Sequence, residues 1–228
     1  MALFRLPAQT VFPPPELADE DGLLAVGGDL SPQRLITAYA QGIFPWYSEG
    51  QPLLWWSPDP RLVLYPKAFH LSHSLRKTLR RQRFSVTFDR DFPQVIQGCS
   101  RRGESQGSWI TAAMQQAYIR LFQLGYAHSV ESWLPTRGEP ELAGGLYGVA
   151  LGGCFFGESM FQRHTDASKV ALAHLVERLQ AEGYTLIDCQ MTTTHLLSLG
   201  AQPIARRQFL AQLQQSLQQR PTQPGPWC

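Results

Sequence analysis

The sequence predicts an α+β protein: a small N-terminal α+β domain over residues 1–61, then a larger domain over residues 62–228 with a mixed sheet and a βαβ crossover. Three observations point there. Proline is dense before Arg61, at Pro13, Pro14, Pro15, Pro45, Pro52, Pro58 and Pro60. From about Arg61 onward, short alternating apolar runs interleave with helical periodicities. Near the C-terminal end an amphipathic helix separates two strand-like runs, Gly157 to Phe161 and Leu186 to Gln190. Joining parallel strands requires a crossover of this kind.

Taken in order, Ser31-Pro32 opens a helix, with serine as N-cap and proline at the first helical position. Leu35, Ile36 and Tyr39 give it an apolar side and Gly42 ends it. An aromatic-rich stretch follows through Trp46, Trp55 and Trp56. Leu62 to Tyr65 reads as a strand, residues 71–82 as a helix, and Phe84 to Phe88 as a strand of period two. Helices are expected at Phe92 to Cys99 and Thr111 to Leu124, and strands at His128 to Trp133 and Glu141 to Ala150. Gly152-Gly153 suits a hairpin turn into Cys154 to Met160. Thr165 or Asp166 caps the next helix, whose face carries Leu172, Leu175, Val176 and Leu179. Gly183 closes it, and Tyr184 to Met191 is the last strand assigned. Antiparallel strands followed by one parallel crossover are the plan of the acetyltransferase-like (GNAT-like) fold.

The chain has 228 residues, 43% hydrophobic and 17% charged, enough to bury a sizeable core. Net charge is only +2, so nucleic-acid binding requires local clustering. The start lacks a basic segment leading into an apolar run, and no stretch approaches a membrane span, which predicts a soluble, cytosolic protein without a membrane partner. Cys99, Cys154, Cys189 and Cys228 form no C-x-x-C pair, and His70 and His73 have no further ligands nearby in sequence, so no metal site is expected.

Three polar residues stand out because they sit on apolar strands. Asp188 and Gln190 fall on one face of their strand if side chains alternate, with Ile187 and Cys189 on the other. Their neighbours Leu186, Ile187 and Met191 mark the strand as buried, where a carboxylate needs a partner. Glu158 would lie at the end of the neighbouring strand, giving an acyl-transfer site. Ser159 lacks the glycine two positions later that a hydrolase nucleophile requires, and Cys189 reads as a core thiol. Arg76, Lys77, Arg80, Arg81 and Arg83 put five positive charges into eight positions without an acid. On a helix, Arg76, Arg80 and Arg83 share a side, as phosphate contacts or an ordinary solvated face would have it. Tryptophans 46, 55, 56 and 109 are core residues or a stacking surface for a nucleobase. Gly27-Gly28-Asp29 is a turn without a Walker-type lysine.

Gly22 to Leu30, Gly42-Ile43-Phe44-Pro45-Trp46, Trp55-Trp56-Ser57-Pro58-Asp59-Pro60-Arg61, Gly157 to Phe161 and Ile187-Asp188-Cys189-Gln190 resemble the leucyl/phenylalanyl-tRNA–protein transferases, in the same order over nearly the whole chain. The resemblance implies transfer of leucine or phenylalanine, and of methionine, from aminoacyl-tRNA to the N-terminal amine of proteins that begin with arginine or lysine. That tags them for N-end-rule degradation. It implies a GNAT-like catalytic domain that uses no cofactor, and the coenzyme A loop of acetyltransferases is missing between Phe161 and Lys169. Leu146, Leu172, Leu175, Leu179 and Ile187 match the amino-acid pocket. Trp46, Trp109 and Tyr118 match positions near the terminal adenosine. Arg76, Lys77, Arg80, Arg81 and Arg83 would hold the tRNA. In this reading Asp188 orients Gln190 and helps the amine lose its proton, while Glu158 attracts the basic acceptor residue or joins the network. A coenzyme A-dependent N-acetyltransferase and a non-catalytic tRNA-end-binding protein are the alternative readings.

Overall fold

A computed structural model of the chain describes residues 3–101 and 109–227. The chain begins with β1 (Phe4–Leu6) and β2 (Leu23–Gly27), then α1 (Pro32–Ala40), β3 (Phe44–Pro45) and β4 (Leu54–Trp56). These strands form a four-stranded sheet in the order β1-β2-β4-β3, with β1 and β2 parallel. Ser31 caps α1 by accepting a bond from the Arg34 N–H, and Pro32 occupies its first turn. Gly42, just past the end of α1, has φ +72, and a Cβ there would stand 2.6 Å from Leu210. Only glycine satisfies both the turn and the close approach.

β5 (Arg61–Leu64) begins the second sheet. After it come α2 (His73–Arg80), β6 (Ser85–Phe88), α3 (Phe92–Arg101), α4 (Ala112–Gln123), β7 (Ala127–Leu134), β8 (Glu141–Leu151), β9 (Cys154–Gln162), α5 (Ala167–Ala181) and β10 (Leu186–Gln190). The chain closes with α6 (Thr194–Ser198), β11 (Gln202–Ile204) and α7 (Arg206–Gln219), none of which the sequence reading assigned. The seven strands run β11-β5-β10-β9-β8-β7-β6. β9 and β10 are parallel and α5 crosses between them, while every other pair is antiparallel. The protein is thus mixed α/β, with two mixed sheets.

One hydrophobic cluster joins the two sheets: Leu24, Tyr39 and Trp55 pack with Tyr147, Phe156 and Phe161. The opposite face of the larger sheet packs on α5 through Leu172, Leu175, Val176 and Leu179. Two expectations about element ends need correction. α2 stops at Arg80 and Gln82 turns left-handed (φ 45), so Arg83 lies beyond the helix and shares no face with Arg76 and Arg80. Asp166 is the N-cap residue of α5 but makes no capping bond. Its carboxylate accepts from Thr78 (3.0 Å) and Lys169 (3.2 Å), tying α2 to α5.

Candidate active site

The site begins where a strand pair comes apart. β9 and β10 are paired from Cys154/Leu186 to Phe156/Asp188 and no further, while β9 continues to Gln162 beside β8. Both strands are irregular at that point. Along β9, Tyr147 pairs with Ser159 and Gly148 with Gly157, so Glu158 is an extra, bulged residue. Gly148 permits the bulge, since a Cβ there would stand 2.2 Å from the Phe156 carbonyl. Along β10, Asp188 pairs with Val63 and Gln190 with Leu62, leaving Cys189 extra and Gln190 left-handed at φ 62. Between the diverging strands opens a cleft of about 430 Å³.

The bulges decide which polar groups meet. Glu158 Oε1 accepts from Tyr39 Oη (2.7 Å) and Gln190 Nε2 (2.9 Å), and Oε2 accepts from Tyr118 Oη (2.8 Å). The two phenol oxygens also touch each other. Burial pushes the Glu158 carboxyl up to about 7, against the opposing pull of the hydrogen bonds from Tyr39 and Tyr118. Burial, reinforced by the Glu158 charge, drives the Tyr39 and Tyr118 phenols well above their ordinary range, so both remain proton donors.

Asp188 lies elsewhere. It is fully buried, does not line the cleft, and is held by Arg61 through two bonds, Nε to Oδ1 (2.8 Å) and Nη2 to Oδ2 (2.6 Å). Oδ1 also accepts the backbone N–H of Gln190 (2.9 Å). The alternation expected for β10 is therefore broken at Cys189. Ile187, Cys189 and Gln190 all line the cleft, and Asp188 reaches it only through Gln190. Burial raises the thiols of Cys189 and Cys154, which disfavours thiolate chemistry. Arg61 and Tyr39 were not singled out from sequence. Their signals were an arginine at the start of a buried strand and a tyrosine on the apolar side of α1.

One wall of the cleft is apolar: Leu146, Leu172, Leu175 and Ile187, joined by Phe155 and Met160. Leu179, expected on that wall, is buried outside it in the core behind α5. Trp46 and Trp109 line the other side with Phe44. The Trp46 ring stands edge-on to Trp56 at 5.5 Å, whereas Trp55 is fully buried. Tyr118 is also fully buried and meets the cleft only through Glu158, so its ring offers no stacking face. Met191 and His195 stand at the mouth.

Arg76, Lys77 and Arg80 on α2, Arg81 at its C-cap and Arg83 beyond are all exposed. Among the described residues these five have no ion-pair partner, in contrast to Arg34, Arg61, Lys169, Arg178 and Arg220. A larger hollow, about 800 Å³, lies across α5 between α2 and β6 and is mostly apolar. None of the groups around Glu158 enters it. Among the described residues, no three histidine, cysteine, aspartate or glutamate side chains are grouped to hold a metal ion, and no helix is long and apolar enough to cross a membrane.

The family model for leucyl/phenylalanyl-tRNA protein transferase matches residues 63–214, and that for the N-terminal domain of the same family matches residues 28–59. The leucyl/phenylalanyl-tRNA–protein transferase of Syntrophobacter fumaroxidans is 60% identical over 219 residues, spanning 95% of this chain and 92% of its own. That of Magnetococcus marinus is 57% identical over 229 residues, spanning 100% and 97%. A functionally unknown conserved protein from Staphylococcus epidermidis ATCC 12228 aligns with a TM-score of 0.42 at 10% identity, over 80% of this chain and 68% of that one.

Proposed function

The chain belongs to the leucyl/phenylalanyl-tRNA protein transferase family and is an aminoacyltransferase, and we propose that it moves leucine or phenylalanine, with methionine also accepted, from aminoacyl-tRNA to the N-terminal amine of proteins beginning with arginine or lysine. In a bacterial cytoplasm this marks the acceptor for N-end-rule degradation. The observation that carries the chemistry is the contact of Gln190 with a buried Glu158 at the head of an apolar cleft. We assign residues 1–61 to a small N-terminal unit and 62–228 to an acetyltransferase-like catalytic unit, a plan supported by β9–β10, the one parallel pair of the seven-stranded sheet.

The aminoacyl ester is already activated, so the protein has to position two substrates, free the amine of a proton and stabilise an oxyanion. An α-amino group titrates at about 7.7–8.0, and a base works best with a pKa near that of its partner and the working pH. Glu158, raised to about 7, is suited to the task and lines the cleft. The roles within the trio therefore shift. Glu158 takes the proton of the attacking amine, Gln190 holds the amine or the carbonyl oxygen, and Asp188 orients Gln190. Ionised Glu158 accepts three bonds, from Tyr39, Tyr118 and Gln190. Once protonated it returns that proton to the ribose oxygen of the tRNA as the ester C–O bond breaks, so the peptide bond forms, the tRNA leaves with a free hydroxyl and the carboxylate is restored. Tyr118 thus serves the chemistry through Glu158 and not by stacking.

Leu146, Leu172, Leu175 and Ile187 would receive the amino-acid side chain, and Trp46 and Trp109 the terminal adenosine. Glu158 is the only carboxylate among the described residues lining the cleft, and its charge would draw the cationic first residue of the acceptor. The unpaired cations on and after α2 would take tRNA phosphates. Purified protein mixed with labelled Phe-tRNA and a peptide beginning with arginine is expected to label the peptide, and not its N-acetylated form. Absence of label at every pH from 6 to 9 contradicts the proposal.

A further inference from the structure

We propose that Arg61 is a positioning residue for the transfer reaction, holding Gln190 against Glu158 by way of Asp188. The chain of contacts is continuous. The Arg61 fork bonds both Asp188 oxygens, Asp188 Oδ1 accepts the Gln190 N–H at 2.9 Å, and Gln190 Nε2 reaches Glu158 at 2.9 Å. A glutamine at φ 62 is an unfavourable conformer that its surroundings must impose. The bond that the Gln190 N–H donates to Asp188 Oδ1 imposes it here.

The guanidinium is itself fixed on every side. Nη1 donates to the Gly42 carbonyl at 3.1 Å, and the plane lies between the rings of Phe44 (4.7 Å) and Phe209 (4.6 Å). Both charges are fully buried. A buried pair of this kind contributes little to stability over an apolar replacement, because desolvation offsets the attraction. Its geometry is another matter. A two-pronged fork sets the plane of the Asp188 carboxylate, and with it the direction from which the Gln190 N–H is received. Lysine keeps the charge and loses the fork.

Gly42 also places Arg61 at the junction of the two sheets. It follows α1, the helix that supplies Tyr39 to Glu158. The C-terminal turn of α1 therefore steadies both sides of the cleft: Glu158 through Tyr39, and Gln190 through Arg61 and Asp188.

The inference rests on the aminoacyl-transfer reading, which label transfer by the unmodified protein tests separately. The experiment is a double-mutant cycle in single-turnover transfer from Phe-tRNA. Arg61→Lys should lower the saturating transfer rate about 100-fold, the scale of a small misplacement of a reacting group, with the half-saturating concentration of Phe-tRNA changed less than about twofold. In a Gln190→Ala background the same substitution should cost nothing further, because the residue through which it acts is gone. Equal losses in both backgrounds would show a merely structural role and overturn the proposal, leaving the transferase reading intact. Should Arg61→Lys fail to fold, Asp188→Asn, which keeps the shape and removes the charge, runs the same cycle with the same two outcomes.

Discussion

Glu158 is a carboxyl whose burial works against its own ionisation. Its pKa is raised from 4.5 to about 7, so its protonated form favours the fold, and that contribution is complete below 4.5 and lost as the pH rises through 7. Glu158→Gln cannot ionise. Relative to the natural protein it should gain stability between pH 5 and pH 8, by about 3 kcal/mol, measured by urea unfolding at both values. An identical difference at the two pH values contradicts the buried-acid assignment. The same residue shows what the sequence makes legible and what it does not. Two carboxylates and an amide on otherwise apolar strands announce Glu158, Asp188 and Gln190 as a group. The side chains they turn toward were not legible, because each bulge arises from register with a neighbouring strand, and Tyr39 meets Glu158 across 119 positions of chain. Alternation alone placed Asp188 beside Gln190 in the cleft, whereas Asp188 is enclosed by Arg61 behind it.

α5 and α2 show which properties of an element its sequence carries. The periodicity of Leu172, Leu175 and Leu179 identified α5 and its buried face, but not how much of that face borders the cleft. Leu179 lies seven residues, about 10 Å, along the axis from Leu172, past the end of the opening. Leu172→Ala removes part of the wall and should shift kcat/KM about tenfold in favour of phenylalanyl over leucyl donors, read with the two charged tRNAs in competition. An unchanged ratio would remove Leu172 from the pocket. In α2 the basic run was plain, while its end was set by the left-handed Gln82, which sequence did not announce. Arg76→Glu and Arg80→Glu should each weaken tRNA binding and reduce its salt slope by about one contact, measured by titration at several salt concentrations. Full-strength binding with an unaltered slope places the tRNA elsewhere.

Across the whole molecule, the two sheets share one buried cluster, with Trp55 and Tyr39 packed among Phe156 and Tyr147. They should therefore unfold together, in a single calorimetric transition whose measured and van't Hoff enthalpies agree. Two resolved transitions would show that the small unit folds by itself. The βαβ order was legible at this scale, since a helix between two apolar runs has few other solutions. The C-terminal α6, β11 and α7 were not. α7 buries Phe209 and Leu213 yet carries a run of glutamines that blurs its apolar stripe. These scales meet in one claim: a peptide bond is made in the β9–β10 cleft, with Glu158 taking the proton of the acceptor amine. Single-turnover transfer of labelled phenylalanine from its tRNA to an arginine-initiated peptide tests it most directly, followed from pH 6 to 9 with the natural protein and with Glu158→Gln. The rate should climb through about pH 7 in the natural protein and fall at least about 100-fold in Glu158→Gln at pH 8, with tRNA binding retained. Transfer by Glu158→Gln at the natural rate and with the same pH profile would contradict it.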